Sequence, residues 1–227
     1  MQVSWSWIRL IVVCAALGCE NGPRDDHHVS LPPRDVSTPD AAPPRDAGPR
    51  EPKLARNIIV FMGDGMGAEQ LATGRFAKGG RLQLDALTGP ALAVTDSLTT
   101  WRLIDEGAPP TDSAAAATVI ATGMLVENDV LSLGPNGERY ETVLEVAKRA
   151  GKATGLVTTS LFFDASPSAF AVHQSSRGLY PEIAREMLGL IQPDLVMGAG
   201  EWLVDDLATG VLEVAQRSGY AIVRGAA

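Results

Sequence analysis

Asn57-Ile58-Ile59-Val60-Phe61-Met62-Gly63-Asp64-Gly65-Met66-Gly67-Ala68 reads as a strand, a glycine turn and the start of a helix. The run Asn57 to Met62 is short and apolar and is bounded by turn residues, which predicts a buried strand. A helix is expected over Ala68 to Ala77. Beyond it, apolar runs alternate with segments of helical period, the pattern of βα units around a parallel sheet. Strands are expected at Leu92 to Thr95, Thr154 to Thr158, Leu195 to Met197 (closed by Gly198-Ala199-Gly200) and Tyr220 to Val223. Helices are expected at Ser113 to Thr122, which is alanine-rich, and at Tyr140 to Arg149, with Val143, Val146 and Ala147 on one face. Two more follow at Tyr180 to Leu190 and Val211 to Arg217. No closing helix follows the last strand, although parallel strands normally sit between covering layers. The expectation is an α/β domain cut short.

The chain has 227 residues, 45% of them hydrophobic and 20% charged, enough for one ordinary domain and unlike a coiled coil, a collagen or a disordered chain. Nineteen basic against 27 acidic residues give a net charge of -8, the wrong sign for neutralising nucleic-acid phosphates. Residues 1–19 carry Arg9, an apolar run from Leu10 to Leu17, then Gly18-Cys19. That order is a secretory signal, too short to span a bilayer. Ala16-Leu17-Gly18-Cys19 resembles a bacterial lipobox, which implies export to the periplasm or cell surface with a lipid on Cys19 as the membrane anchor. A plain signal peptide that happens to contain Cys14 and Cys19 is the alternative. Residues 20–55 hold eight of the 15 prolines and read as a disordered linker, so the folded part, residues 56–227, begins near Arg56. His27 and His28 lie in the linker. Only His173 and oxygen donors remain in the folded part for a metal.

Four groups of residues there could carry chemistry. Gly63, Gly65 and Ala68 fit a dinucleotide fingerprint, but Asp64 would set a carboxylate where a pyrophosphate must sit. A carboxylate after a parallel strand suits a hard cation better, and a plain Asp-Gly turn is the alternative. In Thr111-Asp112-Ser113-Ala114-Ala115-Ala116-Ala117-Thr118, any of the first three residues could simply cap the helix, while a hydroxyl at a helix amino terminus also suits phosphate. In Asp164-Ala165-Ser166-Pro167, Ser166 as an N-cap ahead of proline is explanation enough. Arg177, four residues after His173, could grip an oxyanion or merely be solvated.

Together these residues resemble the alkaline phosphatase family, from about Arg56 to the end of the chain. The resemblance implies a parallel-sheet α/β/α sandwich, truncated here, and hydrolysis of small phosphomonoesters through a phosphoserine. It implies zinc and magnesium as cofactors, with Asp64 bridging the two metals and Ser113 as both nucleophile and zinc ligand. Ser166 would bind magnesium, Asp164 would orient magnesium-bound water, and Arg177 would hold the phosphate. Family members are nearly twice as long, and their remaining ligands lie in the half beyond Ala227. His173 matches a position that is not a zinc ligand, and Leu125-Val126-Glu127 stands where a basic residue is common, though Asn128 fits. A homodimer is open, and nucleic acid is not an expected partner. A non-enzymatic surface lipoprotein and a dinucleotide-binding oxidoreductase are the competing readings.

Overall fold

The computed structural model describes residues 9–13, 55–86, 95–103 and 107–224. The described residues divide into two units, 9–13 with 55–62, and 63–224. In the first, β1 (Arg9–Val13) and β2 (Ile58–Met62) pair in parallel, from Arg9 opposite Ile58 to Val13 opposite Met62. β2 forms where the apolar run predicts it, but it is not buried: Ile58 is 63% exposed and Phe61 52%. Burial of a parallel strand comes from helices laid over the sheet, and this unit has none among the described residues. β1 falls inside the segment read as an export signal. Residues 20–54 of the linker, the cysteines and Leu92 to Val94 lie outside the described residues.

The second unit is mostly helical. α1 (Ala68–Lys78), α2 (Leu98–Arg102), α3 (Ser113–Thr122) and α4 (Val143–Arg149) precede β3 (Gly155–Leu161). α5 (Ala165–Ser168) and α6 (Tyr180–Glu186) then carry the chain to β4 (Leu195–Ala199), which lies parallel to β3 with Gly155 opposite Leu195 and Val157 opposite Met197. Helices inside a crossover between parallel strands are what the βα pattern requires. α7 (Glu201–Asp205) and α8 (Val211–Arg217) follow. α3 is the buried centre. Ala114, Ala115, Ala116, Ala117 and Ala121 are all buried, and methyl side chains let α3 pack closely on α5. Phe163, Leu131, Ile183 and Met187 supply the largest buried side chains.

Several boundaries differ from the sequence reading for local reasons. α4 starts at Val143 because Thr142 and Glu145 form a capping box: Thr142 Oγ1 accepts from Glu145 N, and Glu145 accepts from Thr142 N. Its buried residue is Leu144, while Val143 and Val146 are exposed, so the apolar face is rotated from the expected one. α6 passes into a π turn, Met187–Ile191, that buries Met187, Leu188 and Ile191. There Gly189 leaves room for α8, since a Cβ would stand 2.8 Å from Val214 Cγ1. Tyr220 to Val223 is not a strand: Tyr220 N closes α8 on Ala215 O, and its hydroxyl donates to Pro193 O at 2.5 Å, which leaves that segment outside any ladder.

Candidate active site

Asp64 sits in the turn Gly63-Asp64-Gly65. Met66 N donates to Gly63 O at 3.2 Å, and Gly65 takes φ 65°, a left-handed conformation that glycine adopts without strain. The turn leaves the Asp64 carboxylate exposed. Two hydroxyls far away in sequence converge on it: Ser113 Oγ donates to Oδ1 at 3.1 Å, and Ser166 Oγ donates to Oδ2 at 2.8 Å.

Ser113 is the first residue of α3. The capping role in Thr111-Asp112-Ser113 belongs to Asp112, whose Oδ1 accepts from Ala115 N at 2.9 Å. Ser113 is thus released from capping, and its hydroxyl lies at the positive end of a ten-residue helix. A similar division holds at α5. Its cap is Asp164 rather than Ser166, with Oδ1 accepting from Ala165 N at 2.7 Å, so Ser166 stands inside the first turn and is free to reach Asp64. Phe163, fully buried, anchors this turn by edge contacts with Phe162 and Trp202. Gly200 makes that packing possible: it has φ 126°, and a Cβ there would stand 2.4 Å from Phe163 Cε1.

Arg177 lies between two carboxylates. Its Nη2 donates to Asp164 Oδ1 at 2.9 Å and its Nη1 to Asp112 Oδ2 at 3.4 Å, with about a third of the side chain exposed. Burial alone would lower its pKa, but the bond to Asp164 and the charges of Asp112 and Asp164 outweigh that and raise it. For Asp164, burial pushes upward, and hydrogen bonds from Ser160, Ala165 N and Arg177 outweigh it, holding the carboxyl below its ordinary value. Both groups are charged at neutral pH.

His173 stands apart. It is not on a helix with Arg177, because α5 ends at Ser168. Instead its ring is enclosed: Nδ1 lies 2.9 Å from Arg139 Nη2 and Nε2 lies 3.0 Å from Tyr140 O. A guanidinium only donates and a carbonyl only accepts, so Nδ1 accepts from Arg139 and Nε2 donates to Tyr140 O. The ring has nothing left for a metal.

Five sequence-predicted residues, Asp64, Ser113, Asp164, Ser166 and Arg177, are therefore brought together, and all lie in the second unit. Sequence reasoning took Asp112 only as a cap and missed its grip on Arg177, 65 positions away. A carboxylate directly before the candidate nucleophile was the available signal. Asp64 with the two hydroxyls is an all-oxygen donor set, which fits a hard cation such as magnesium. Zinc does not fit. It favours nitrogen and sulfur with three or four protein ligands, and among the described residues no three His, Cys, Asp or Glu side chains could hold a metal.

The chain is 33% identical over 177 residues to alkaline phosphatase 4 of Bacillus subtilis, covering 74% of this chain and 38% of that protein. It is 32% identical over 204 residues to the alkaline phosphatase of Escherichia coli, covering 77% and 43%. A magnesium-bound variant of the alkaline phosphatase from the Antarctic bacterium TAB5 superposes with a TM-score of 0.60 at 26% identity, over 72% of this chain and 45% of that one. The chain spans less than half the length of these relatives. The family model for alkaline phosphatase matches residues 55–200, the span that contains every residue of the cluster around Asp64 and Arg177, and the chain belongs to the alkaline phosphatase family.

Proposed function

We propose that this chain carries the nucleophile half of an exported phosphomonoesterase, in which Ser113 takes the phosphoryl group and Arg177 grips it. The observation that carries the reading is the meeting of Ser113 and Ser166 on the two oxygens of Asp64, beside an arginine held by Asp112 and Asp164. A phosphate ester docks with its non-bridging oxygens on the Arg177 guanidinium, a planar fork that suits two of them. Amides of the first turn of α3 that have no partner within the helix add positive field. Ser113 Oγ closes on phosphorus: the Oγ–P bond forms, and the ester P–O bond breaks with its electron pair on the leaving oxygen. The hydroxyl proton already points at Asp64 Oδ1, the atom placed to take it. Attack by water on the phosphoserine then releases phosphate and restores the hydroxyl. Phosphoryl transfer is mostly positioning and charge neutralisation, and this arrangement provides both. Asp64 and Ser166 would hold a divalent cation, which would supply further positive charge for the oxyanion.

The zinc ions that the family resemblance implies would draw their ligands from outside the described residues. Accordingly, the 227-residue chain loaded with zinc and magnesium is expected to release phosphate from p-nitrophenyl phosphate poorly. In the protein extended to the length of its relatives, Ser113→Ala should cut turnover by about a hundredfold or more. Equal turnover in the variant would overturn the assignment. A non-catalytic surface lipoprotein is the second reading, favoured by the lack of a three-ligand metal cluster among the described residues; the same assay excludes it if the extended protein turns over. Export with a lipid on Cys19 is part of the proposal. Cys19→Ser should move the protein from the membrane pellet to the soluble fraction, and retention in the pellet counts against the anchor.

A further inference from the structure

The geometry points to a positioning clip, Asn128-Asp129, that sets both the entry to the nucleophile helix and the arginine; the inference deepens the phosphatase reading and rests on it. Asn128 bridges the backbone on either side of Thr111. Its Nδ2 donates to Pro110 O at 2.9 Å, and its Oδ1 accepts from Asp112 N at 3.2 Å. A peptide N–H only donates and a carbonyl only accepts, so this orientation of the amide is the one that satisfies both, and no other side chain of similar size offers the pair. The other side of Asn128 is fastened too: its N–H donates to Thr99 Oγ1 at 2.9 Å, and that hydroxyl donates to Glu127 Oε2 at 2.6 Å.

Asp129 extends the clip to the arginine. Its φ of 75° places it in the left-handed region, uncommon for a residue with a side chain and kept where the surroundings over-determine it. That turn directs its N–H to Asp112 Oδ2 at 3.1 Å and its carbonyl to Arg177 N at 2.7 Å. Asp112 is the joint. One oxygen caps α3, and the other receives both Asp129 N–H and the Arg177 guanidinium. Two consecutive residues therefore fix the residue before Ser113, the cap of its helix, and the backbone of Arg177. They touch no reacting atom and act through Asp112 and Arg177.

A residue that merely holds the fold together would loosen the whole unit when lost, whereas a clip loosens only what it holds. Amide hydrogen exchange on the full 227-residue chain separates the two. Asn128→Ala should speed exchange at Asp112, Ala115 and Arg177 by about five- to tenfold, the effect of one or two lost hydrogen bonds, and leave the β3 amides unchanged. Asn128→Asp keeps one acceptor but opposes a carboxylate to Pro110 O, so it should loosen the same three amides; it carries the test if the alanine variant does not fold. Asp129→Gly keeps both backbone groups and favours positive φ, so it should stay within about twofold of the parent. No change at the three amides in the Asn128 variants, or an equal change at the β3 amides, overturns the clip. In the extended protein, Asn128→Ala should raise KM for p-nitrophenyl phosphate and the inhibition constant for inorganic phosphate by a similar factor of about ten, through the displaced guanidinium. A loss confined to kcat, with KM unchanged, overturns the link to Arg177. Should the parent extended protein hydrolyse no phosphate ester, the exchange result still decides the clip, and it is the phosphatase reading that fails.

Discussion

Two charged clusters in this molecule are built from the same parts and differ in one property. Around Arg177, a guanidinium lies between Asp112 and Asp164, with two serine hydroxyls resting on Asp64 nearby. Around His173, the Arg139 guanidinium lies 3.2 Å from Glu186 and donates to Nδ1, the His173 N–H donates to Glu186 Oε1, and Glu145 Oε2 stands 3.4 Å from Nε2. The His173 side chain is 1% exposed, and both ring nitrogens are engaged. In the first cluster the partners are exchangeable under the proposed function: a phosphate oxygen would replace a carboxylate on Arg177, and a cation would replace a hydroxyl proton on Asp64. In the second, the imidazole is enclosed and both its nitrogens are satisfied by the protein, although the Arg139 side chain reaches solvent. Charge density alone therefore does not mark a site. Solvent access and exchangeable hydrogen bonds do.

The largest expected effect breaks the open cluster at its centre. Asp64→Asn in the extended protein should lower phosphatase turnover by about a hundredfold or more, because the side chain that collects both hydroxyls loses the charge that holds a cation. The 227-residue chain gives a second readout. Magnesium should raise its melting temperature by mass action and should leave Asp64→Asn unmoved. An equal rise in both would place magnesium elsewhere.

Next in size is a reciprocal pair of substitutions. His173→Ala removes the acceptor for Arg139 and the donor to Tyr140 O and empties the space of an enclosed ring. It should cost about 2–4 kcal/mol in urea unfolding. Arg177→Ala removes a partly exposed ion pair and should cost about 1 kcal/mol or less, while raising KM for a phosphate ester strongly in the extended protein. Equal stability losses from the two would erase the distinction between the clusters.

The sequence made the open cluster legible because each of its parts carries a local signature. A strand followed by Gly-Asp-Gly, a hydroxyl before an alanine run, and Asp-Ala-Ser-Pro can each be read within a few residues. Their division of labour was not legible. Which of Thr111, Asp112 and Ser113 caps α3, and that Asp164 rather than Ser166 caps α5, depends on partners such as Ala115 N, Asp64 and Arg177 that tertiary structure brings near. The sealed cluster left no signature, since Arg139, Glu145, His173 and Glu186 come from four separate segments. The same limit explains the elements. α3 and α8 matched because caps and glycines bound them, whereas among the described residues Tyr220 to Val223 has strand composition but no ladder partner, and β2 has an apolar run but no helix over it in its unit.

The smallest expected effect, on acid stability, tests whether Glu186 is as enclosed as its geometry says. Burial would raise the pKa of Glu186, but hydrogen bonds from His173 and Gln174 and the charge of Arg139 outweigh it and hold it below the ordinary 4.5. A carboxyl whose folded pKa is depressed contributes stability that is fully present above its unfolded value. That contribution drains away as pH falls through 4.5 and on through the folded value. Asp164 in the open cluster is depressed in the same direction, so acid alone does not separate the two. Salt does. Asp164 and Arg177 are both partly exposed and should be screened as ionic strength rises, whereas the buried Glu186 carboxylate also accepts from His173 N and Gln174 Nε2 and should lose less. Urea unfolding of the chain between pH 5.5 and 3.5 should therefore show a stability loss that Glu186→Gln flattens at low and high salt alike. The corresponding flattening in Asp164→Asn should shrink at high salt. A Glu186 contribution that fades with salt as fast as that of Asp164 would mean that solvent reaches Glu186 as freely as it reaches Asp164.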